Sequence, residues 1–415
     1  MANLVNFLDL ETNEVLNRLR KYGEAWVVGG WLRDVLIEGP IEGNKIDIDI
    51  ATSLIPERVK EIFPKSIGVG ENFGTIGVRL DSSKNRVWEV TTLRTDQNYS
   101  DGRRPDAVDF GVTILEDLAR RDFTINAMAL DRNGKIIDPY DGKGDIINSI
   151  IRAVGNPSER IQEDGLRILR AFRFMDSGER GIRKLDVFLS NSIIENINSL
   201  GNISKERIGS EFLKILSGMY IDEIINSMNE HGIFGSILPE VNINNSHNYT
   251  NNKIINLALI CSKSDMSGWE LGRYLMNELR ISKEESKMIA ILHECRGIDV
   301  DSSIESARRF VAFHREERRM MIIDYLKSLG RDLEDFSSII DSLKSVESKL
   351  PLIDGNRLSQ LTGLKPGKRL GKLKDWLYRK QIEEDIKQAE ELSNFLDEMD
   401  WKNSEPDDWD GMYWP

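Results

Sequence analysis

Two aspartates one residue apart, Asp47 and Asp49, have the spacing in this 415-residue sequence that most directly indicates chemistry. In a β-strand successive side chains alternate between two faces, so both carboxylates are expected on one face, opposite Ile46, Ile48 and Ile50. Two neighbouring carboxylates repel each other unless a hard divalent cation lies between them. The pair therefore predicts a site for a hard divalent cation, although the same pattern is also common at solvated strand edges and turns.

A diglycine, Gly29-Gly30, precedes the aspartates and ends the apolar run at 25–28. A helical pattern follows it and places Arg33 in the first turns. Such a strand–turn–helix passage lets backbone N–H groups approach a phosphate, and the arginine adds positive charge. A lone Gly-Gly pair is usually only a turn that needs positive φ, so the combination with the aspartates is what favours nucleotide chemistry.

Four further polar residues extend this candidate site. Glu89, on the strand-like run 86–93, is a candidate third carboxylate that helps deprotonate an attacking hydroxyl or holds a second metal ion. A surface position on a strand is the alternative. Further along, Arg121 can bind a phosphate or a base edge, Asp122 can accept from ribose hydroxyls, and Asn126 can donate and accept. The same residues would also be ordinary at the start of a helix.

The run EDGLRILRAFRF, residues 163–174, predicts one helix with Asp164 and Arg167 on a shared face and with Arg170 and Arg173 continuing the spacing. One interpretation is a weak surface salt bridge. The other is base recognition, in which the aspartate accepts from an exocyclic amine and the arginine donates to the adjacent ring acceptor. Cytosine and adenine both present that edge, whereas uracil and guanine present a carbonyl and a ring N–H. Such a pair would accept CTP and ATP and refuse UTP and GTP.

The elements that must position these residues indicate an α+β domain at the N-terminus. Helical patterns at about 32–37 and 56–62 separate the first strand-like runs, which lie at 25–28, 45–50, 74–80 and 86–93. From Ser158 to about residue 395 helical periodicity dominates, with little Pro or Gly inside the segments. We therefore expect a mixed sheet with helices over residues 1–150, followed by an all-helical remainder.

The composition, 40% hydrophobic and 30% charged, is typical of a soluble globular protein. Apolar runs are far shorter than the roughly 20 residues of a membrane span, and the N-terminus has no export-signal pattern. Cys261 and Cys295 have no paired spacing, which excludes a disulfide framework or a zinc knuckle and fits a reducing cytoplasm. We therefore expect a cytoplasmic protein without a membrane partner.

The net charge of −13 argues against a nucleic-acid partner, but the charge is unevenly distributed. Residues 365–380 contain seven basic residues against one acid. A solvated basic helix and an RNA-binding surface are equally compatible with this segment, whose candidate RNA-binding residues are Lys365, Lys368, Arg369, Lys372 and Lys374. The final residues, 401–415, are acidic and rich in tryptophan and are expected to be loosely ordered.

Taken together, the motifs resemble those of class II tRNA nucleotidyltransferases, the CCA-adding enzymes of the polymerase-β-like nucleotidyltransferase superfamily. Residues 350–374 resemble the C-terminal segment of that family more weakly, and about 220–345 match only as a helical region. The motifs that carry the resemblance, in the family's order, are GGWLRD (29–34), DIDIAT (47–52), RRDFTINAMAL (120–130), DPYDGKGD (138–145), EDGLRILRAFRF (163–174) and ERIGSEFLKIL (206–216).

The resemblance implies an elongated, curved molecule that clamps the acceptor and T arms of tRNA. Its expected parts are a catalytic head (1–150), a helical neck for base selection (151–217), a helical body (218–345), a helical tail that binds tRNA (346–400) and the acidic end (401–415). The implied reaction adds CCA to tRNA 3′ ends from CTP and ATP, with release of pyrophosphate and Mg²⁺ as the cofactor.

The resemblance also implies roles for individual residues. Asp47 and Asp49 match the magnesium ligands, and Glu89 is a possible third carboxylate. Gly30 and Arg33 match triphosphate-binding positions. The residues that match nucleotide-binding positions are Arg121, Asp164, Arg167, Arg170 and Arg173.

Several alternative functions stay open. The turn DGRRPDAV, residues 101–108, resembles a flexible element that CC-adding relatives lack, which favours complete CCA addition over an enzyme that adds only CC or only A. A poly(A) polymerase is disfavoured because residues 68–75, GVGENFGT, replace its usual basic signature. A non-catalytic RNA-binding protein would not need both aspartates, and a helical scaffold would leave the N-terminal motifs unexplained.

Overall fold

The computed structural model divides the chain into two compact units, Met1–Glu240 and Val241–Pro415, called here the N-terminal and C-terminal units. Asp47 and residues 101–106 of the DGRRPDAV turn lie outside the part of the chain that the structure describes. The described residues are 4–39, 48–71, 74–83, 86–97, 107–244, 248–343 and 350–414.

The N-terminal unit contains a seven-stranded mixed sheet and two short two-stranded ribbons. The strands are β1 Ala25–Val28, β2 Asp49–Thr52, β3 Ile67–Gly70, β4 Thr75–Val78, β5 Trp88–Thr92, β6 Arg94–Gln97, β7 Ala107–Phe110, β8 Ala129–Leu130, β9 Ile136–Ile137, β10 Ile150–Ile151 and β11 Lys184–Leu185. The sheet order is β3-β4-β5-β2-β1-β8-β9. Within this sheet β2 and β5 are parallel, and the other neighbouring strands are antiparallel.

Two apolar clusters cover the opposite faces of this sheet. Ile48 and Ile50 belong to the larger cluster, in which the sheet packs against helices of the unit. Ala51 belongs to a second cluster with Trp26 and Val28 of β1. Because side chains alternate along a strand, Asp49 shares the face of Ala51. The expected orientation of the isoleucines is therefore confirmed for the two that the structure describes.

Some helices of the N-terminal unit lie between the strands in sequence, and the others form the C-terminal part of the unit. They are α1 Leu10–Leu19, α2 Gly30–Glu38, α3 Pro56–Ile62, α4 Ile114–Ala119, α5 Gly142–Ile147, α6 Pro157–Glu163, α7 Arg167–Met175, α8 Val187–Glu195, α9 Lys205–Ile215, α10 Ile221–Glu230 and α11 Ile233–Ile237. The mixed sheet and the helical remainder expected from the sequence are confirmed, with the small parallel ribbon β10–β11 as an addition.

The prediction of one helix over residues 163–174 is wrong. Helix α6 ends at Glu163, and α7 begins at Arg167. Asp164 between them is extended, with φ −149° and ψ 101°. A Cβ atom on Gly165 would lie 2.5 Å from the carbonyl oxygen of Ser199, so the chain passes too close to its neighbour there for any side chain. This contact is distant in sequence, and the local pattern does not show it.

The C-terminal unit is helical in its described residues. Its helices are α12 Lys253–Ile260, α13 Gly268–Leu279, α14 Lys283–Cys295, α15 Ile304–Phe313, α16 Glu316–Ser328, α17 Glu334–Ser342, α18 Gly355–Thr362, α19 Lys368–Glu383 and α20 Ala389–Asn394. Ser267 and Ser282 cap α13 and α14 through capping boxes, which satisfy N–H groups that a helix start leaves unpaired.

The last described residues, 401–414, pack against this unit, contrary to the loose order expected of them. Trp409 joins the apolar cluster of α18 and α19. Trp414 is stacked on Phe336, with ring centroids 6.0 Å apart, and its indole donates to Ser306. The acidic composition was misleading because the tryptophans, rather than the carboxylates, determine where this segment lies.

Candidate active site

A cavity of about 540 Å³ in the N-terminal unit brings together most of the residues that the sequence singles out. Seven arginines and three aspartates line it, so its charge is strongly positive. The described residues that line it are Val28, Gly29, Gly30, Arg33, Asp49, Ile50, Thr75, Thr91, Arg94, Arg120, Arg121, Asp122, Asn126, Asp164, Arg167, Arg170, Arg173 and Phe174.

The diglycine connects β1 to α2 at the edge of this cavity. Gly29 is the residue before α2, and its φ of 75° lies in the region that favours glycine. A Cβ atom at Gly29 would also lie only 2.5 Å from Oδ2 of Asp49. Both the backbone conformation and the close approach of the carboxylate therefore require glycine. Gly30 begins α2, whose first N–H groups have no partner within the helix.

Asp49 is the first residue of β2 and is paired in register with Val28 of β1 and Glu89 of β5. In a parallel pair, residues in register have side chains on the same face, so Glu89 and Asp49 share a face. Glu89 is exposed and is not among the described residues that line the cavity. The described residues include no group of three or more metal-ligating side chains, and Asp47 is not one of them.

Arg33 reaches from α2 across the cavity. Its Nη1 donates to Oδ1 of Asn126 over 2.8 Å, and its Nε donates to Asp34 over 2.7 Å. The guanidinium carbon also lies 5.0 Å from the ring centroid of Phe174. Arg33 is therefore held on three sides, and an arginine fixed in this way is suited to bind phosphate oxygens in a defined geometry.

Asp117 of α4 holds two neighbouring arginines that line the cavity. Its carboxylate is 2% exposed and accepts from Arg120 over 2.7 Å and from Arg121 over 3.2 Å. Arg121 donates as well to the backbone carbonyl of Asn126 over 3.2 Å. Burial alone would raise the pKa of Asp117, but the two guanidinium groups lower it. Arg120 and Arg121 are thus oriented by a buried anion.

Asp122 is engaged by protein partners through both of its oxygens. Oδ2 accepts from Nε of Arg170 over 2.8 Å, while Oδ1 accepts from the side chain of Asn126 over 3.1 Å and from the N–H of Phe123 over 2.8 Å. Burial opposes ionisation, yet Arg170 and these hydrogen bonds lower the pKa of Asp122 to about 2. It lines the cavity as expected, and its carboxylate orients Arg170.

Asp164 and Arg167 both line the cavity but do not form the salt bridge of the simpler interpretation. Oδ2 of Asp164 accepts from Arg207 over 2.7 Å, and Oδ1 accepts from the N–H of Leu166 over 3.1 Å. Arg167 instead pairs with Glu163 over 2.7 Å. The two residues are connected through the backbone, where the N–H of Arg167 donates to the carbonyl of Asp164 over 3.0 Å.

The guanidinium of Arg167 keeps two N–H groups for a ligand. Nη1 donates to Glu163 and to the carbonyl of Arg160, and Nη2 donates to the carbonyl of Arg120 over 3.1 Å. Since an arginine has five N–H donors, Nε–H and one N–H of Nη2 remain without a partner among the described residues. These two donors can form the fork that a base edge or a phosphate accepts.

Arg170 and Arg173 both lie close to the ring of Phe174, with guanidinium carbons 5.3 Å and 4.1 Å from its centroid. Arg173 forms an ion pair with the buried Glu211 of α9. Together with Arg33, three cations surround one aromatic ring, an arrangement stabilised by cation–π attraction. Attraction to the ring partly offsets the mutual repulsion of the three arginines.

Sequence reasoning missed several residues of this site. Arg120 lies next to Arg121 in the motif RRDFTIN, so that motif contained the signal. Arg207 and Glu211 lie in ERIGSEFLKIL, which was recognised only as a motif without a role. Phe174 ends the motif EDGLRILRAFRF, in which only the charged residues were given a role, and nothing in the local sequence marks Arg94.

The candidate RNA-binding residues lie apart from this cavity in sequence, on and before α19 of the C-terminal unit. Lys368 pairs with Asp407 over 2.6 Å. Nη1 of Arg369 donates to the carbonyls of Trp401 over 2.6 Å and Ser404 over 2.9 Å, so Arg369 fastens the end of the chain. Lys365 is exposed, and Lys372 and Lys374 are half-buried.

Two further expectations concern membranes and cysteines. No described helix combines the length and the apolar character that crossing a bilayer requires. Cys261 and Cys295 are both free and buried. Burial raises the pKa of each thiol to about 12, so neither is a reactive thiolate at neutral pH.

Two family models match parts of the N-terminal unit and its boundary. The Poly A polymerase head domain matches residues 25–152. The probable RNA and SrmB-binding site of polymerase A matches residues 189–244.

Curated relatives match over different lengths. The chain is 33% identical over 392 residues to the CCA-adding enzyme of Lactococcus lactis subsp. lactis (strain IL1403), which covers 91% of this chain and 94% of that protein. It is 44% identical over 221 residues to the CCA-adding enzyme of Geobacillus sp. (strain WCH70). That second match spans about half of each protein, 53% of this chain and 52% of the relative.

Solved structures share the fold over nearly the whole chain. The crystal structure of the Bacillus stearothermophilus CCA-adding enzyme in complex with CTP has a TM-score of 0.71 and 26% identity, and covers 94% of this chain and 96% of that one. The Thermotoga maritima CCA-adding enzyme complexed with tRNA-CCA has a TM-score of 0.64 at 20% identity, with 95% and 97% covered, and shows likeness of fold. From the long alignment with the Lactococcus relative and the shared head domain, the chain belongs to the CCA-adding enzymes of the nucleotidyltransferase superfamily.

Proposed function

We propose that this protein transfers CMP and then AMP from CTP and ATP to the 3′ end of tRNA and releases pyrophosphate. The observation that carries the proposal is that one cavity combines Asp49 at the diglycine turn, seven arginines, and the pair Asp164 and Arg167. These groups match the three parts of the reaction: the reacting phosphate, the triphosphate and the base.

We assign Mg²⁺ to Asp47 and Asp49, with Glu89 as a third carboxylate. The donor set fits a hard cation, because Asp49 lines the cavity and Glu89 is its register partner on β5. When bound, the metal lowers the pKa of the attacking hydroxyl and neutralises charge on the phosphates. Gly29 leaves the space that the Asp49 carboxylate occupies.

The chemical step is an in-line displacement at the α-phosphorus of the bound nucleotide. The oxygen of the terminal ribose hydroxyl forms the new P–O bond, its proton passes toward the Glu89 carboxylate, and the bond to the β-phosphate oxygen breaks. Pyrophosphate leaves with the electron pair of that bond. Arg33, Arg121 and Arg173 orient the triphosphate, each held by a protein partner rather than free to rearrange.

Asp164 and Arg167 select the base. Asp164 accepts from the exocyclic amine of cytosine or adenine, and the remaining donors of Arg167 reach the adjacent ring nitrogen. Uracil and guanine present a carbonyl to the carboxylate and a ring N–H to the guanidinium, so both contacts become repulsive. Unsatisfied polar groups of this kind allow strong discrimination.

The remaining assignments follow from the domain order expected of the family. We assign the head to 1–150, the neck to 151–217, the body to 218–345 and the tail to 346–400, with the acceptor and T arms of tRNA as the partner of body and tail. Lys365, Lys368, Lys372 and Lys374 would contact the tRNA backbone, as would any donor of Arg369 that the chain end leaves available. The cytoplasmic location stays a prediction.

The test uses purified protein, Mg²⁺ and each labelled nucleotide with three tRNAs that end before CCA, after C and after CC. We expect CMP on the first two, AMP on the third, and termination after one CCA. Growth that stops after CC, or AMP addition alone, would reduce the proposal to a partial activity.

The match to the Poly A polymerase head domain keeps a second function in view. A poly(A) polymerase would extend an RNA with many adenylates whatever its 3′ end. The same assay separates the two functions, because long A tails on all three tRNAs contradict CCA addition.

A further inference from the structure

Helix α9 packs against α7 and supplies one ion-pair partner near each end of it. Arg207 and Glu211 are one helical turn apart on α9 and therefore share a face. Arg207 pairs with Asp164, which precedes α7, over 2.7 Å. Glu211, only 3% exposed, pairs with Arg173 in the last turn of α7. In the first pair α9 supplies the cation, and in the second it supplies the anion. Reversing the direction of α9 would therefore place like charges together.

Asp164 depends on such a partner because no helix fixes it. It is extended, between the end of α6 and the start of α7, and so lies outside both helices. Two contacts orient its carboxylate, one from the N–H of Leu166 and one from Arg207. The first is local and holds Oδ1, and the second comes from 43 residues away and holds Oδ2.

We propose that Arg207 is a positioning residue for base selection, which holds the Asp164 carboxylate at the angle where it accepts an exocyclic amine. This inference rests on the proposed role of Asp164. Without Arg207 the carboxylate keeps only its local contact and can rotate about its side-chain bonds. A rotated carboxylate no longer opposes the carbonyl of uracil or guanine in a fixed place. Discrimination therefore falls more than catalysis does.

The experiment compares kcat/KM for CTP and UTP on tRNA that lacks CCA, and for ATP and GTP on tRNA that ends in CC. For Arg207→Met we expect both ratios to fall about tenfold or more, the size expected on loss of one charge-assisted hydrogen bond. The change should appear chiefly as a higher KM for the correct nucleotide and a gain for the wrong one. Lys205→Met removes an exposed cation from the first turn of the same helix and should leave both ratios unchanged.

A purely structural role for Arg207 makes a different prediction. Loss of α9 packing would lower kcat for every nucleotide and leave the ratios intact, and that result would overturn the proposal. Arg207→Lys, which keeps the charge but loses the fork, serves if the methionine variant does not fold. We expect an intermediate ratio from it, and wild-type ratios at reduced kcat would again overturn the proposal.

A double-mutant cycle separates this proposal from the base-reading role on which it rests. Asp164→Ala should lower discrimination by itself, and Arg207→Met in that background should add nothing further. If Asp164→Ala keeps full discrimination, the base-reading role itself fails. If the two substitutions add independently, Asp164 reads the base but Arg207 does not act through it, and the positioning role is contradicted.

Discussion

The arginines of the cavity and the basic residues of α19 are two positive surfaces of this chain that are held in different ways. In the cavity, buried or half-buried carboxylates fix the guanidinium groups, as Asp117 fixes Arg121 and Asp122 fixes Arg170. On α19, Lys368 is 67% exposed and its partner Asp407 is 65% exposed. Fixed donors suit recognition of one geometry, whereas exposed ammonium groups suit a polyanion whose phosphates lie at several angles.

The largest effect is expected in the cavity, at Asp49, the carboxylate proposed to bind the metal ion. Asp49→Ala should reduce nucleotide incorporation to below about one per cent of wild type because it removes a proposed metal ligand. The thermal unfolding midpoint should stay near that of wild type. Incorporation assays and circular dichroism on the same preparation measure both. Activity well above that level would contradict the metal assignment. Glu57→Ala, which removes an exposed carboxylate from the first turn of α3, serves as the control.

The second prediction concerns the buried anions that hold the cavity arginines. Asp122→Asn leaves the half-buried Arg170 without its counter-charge, which should cost somewhat less than the roughly 3 kcal/mol of a fully buried pair. We expect lower stability to urea and a fall in kcat/KM of similar size for CTP and ATP. Glu159→Gln, an exposed carboxylate of α6, is the matched control. Unchanged stability would show that Arg170 does not need Asp122.

The C-terminal unit should respond to acid before the cavity does. Burial, with Arg318 and Arg319 nearby, lowers the pKa of His314 to about 4, from an ordinary value of 6.5. Because the unfolded chain takes up this proton first, stability is complete above about pH 6.5 and is lost as pH falls toward 4, by about 3 kcal/mol. Asp122, with its pKa of about 2, keeps its charge throughout this range.

Urea unfolding followed by tryptophan fluorescence tests this difference, since the Trp414 ring lies 6.0 Å from that of His314. His314→Leu should flatten the dependence on pH between 6.5 and 4. A wild-type curve that is already flat in this range would contradict the role of the histidine.

The smallest effect is expected on α19. Lys368→Ala and Lys372→Ala should each weaken tRNA binding severalfold and reduce the salt dependence by about one phosphate contact. Discrimination between CTP and UTP should not change. Lys387→Ala, an exposed lysine beyond α19 with 74% of its side chain accessible, is the control. An equal loss in the control would reduce α19 to a solvated basic helix.

Local patterns predicted the parts of the molecule in which local rules dominate. Strand β1 and helix α3 coincide with their predicted bounds, and Asp49 faces away from Ile48 and Ile50 because alternation along a strand is a backbone property. The turn at Gly29 was also predictable, because a requirement for positive φ is local.

The errors arose where distant residues decide the structure. Next to the break after Glu163, Gly165 lies against the backbone of Ser199, and Arg207 holds one of the two carboxylate oxygens of Asp164. The end of the chain is ordered by Trp409 and Trp414 in spite of its acidic composition. In each case a residue more than 30 positions away supplies the contact, and no local periodicity encodes it.

Gly29 shows how a backbone position and a chemical group become one unit. A methyl group there would meet Oδ2 of Asp49 at 2.5 Å, at a φ of 75° that alanine rarely adopts. Gly29→Ala would therefore displace the carboxylate of Asp49, although the substitution itself lies at the end of a different strand, β1. A mutagenesis screen restricted to polar side chains would overlook Gly29, where adding a single methyl group disturbs the reaction centre.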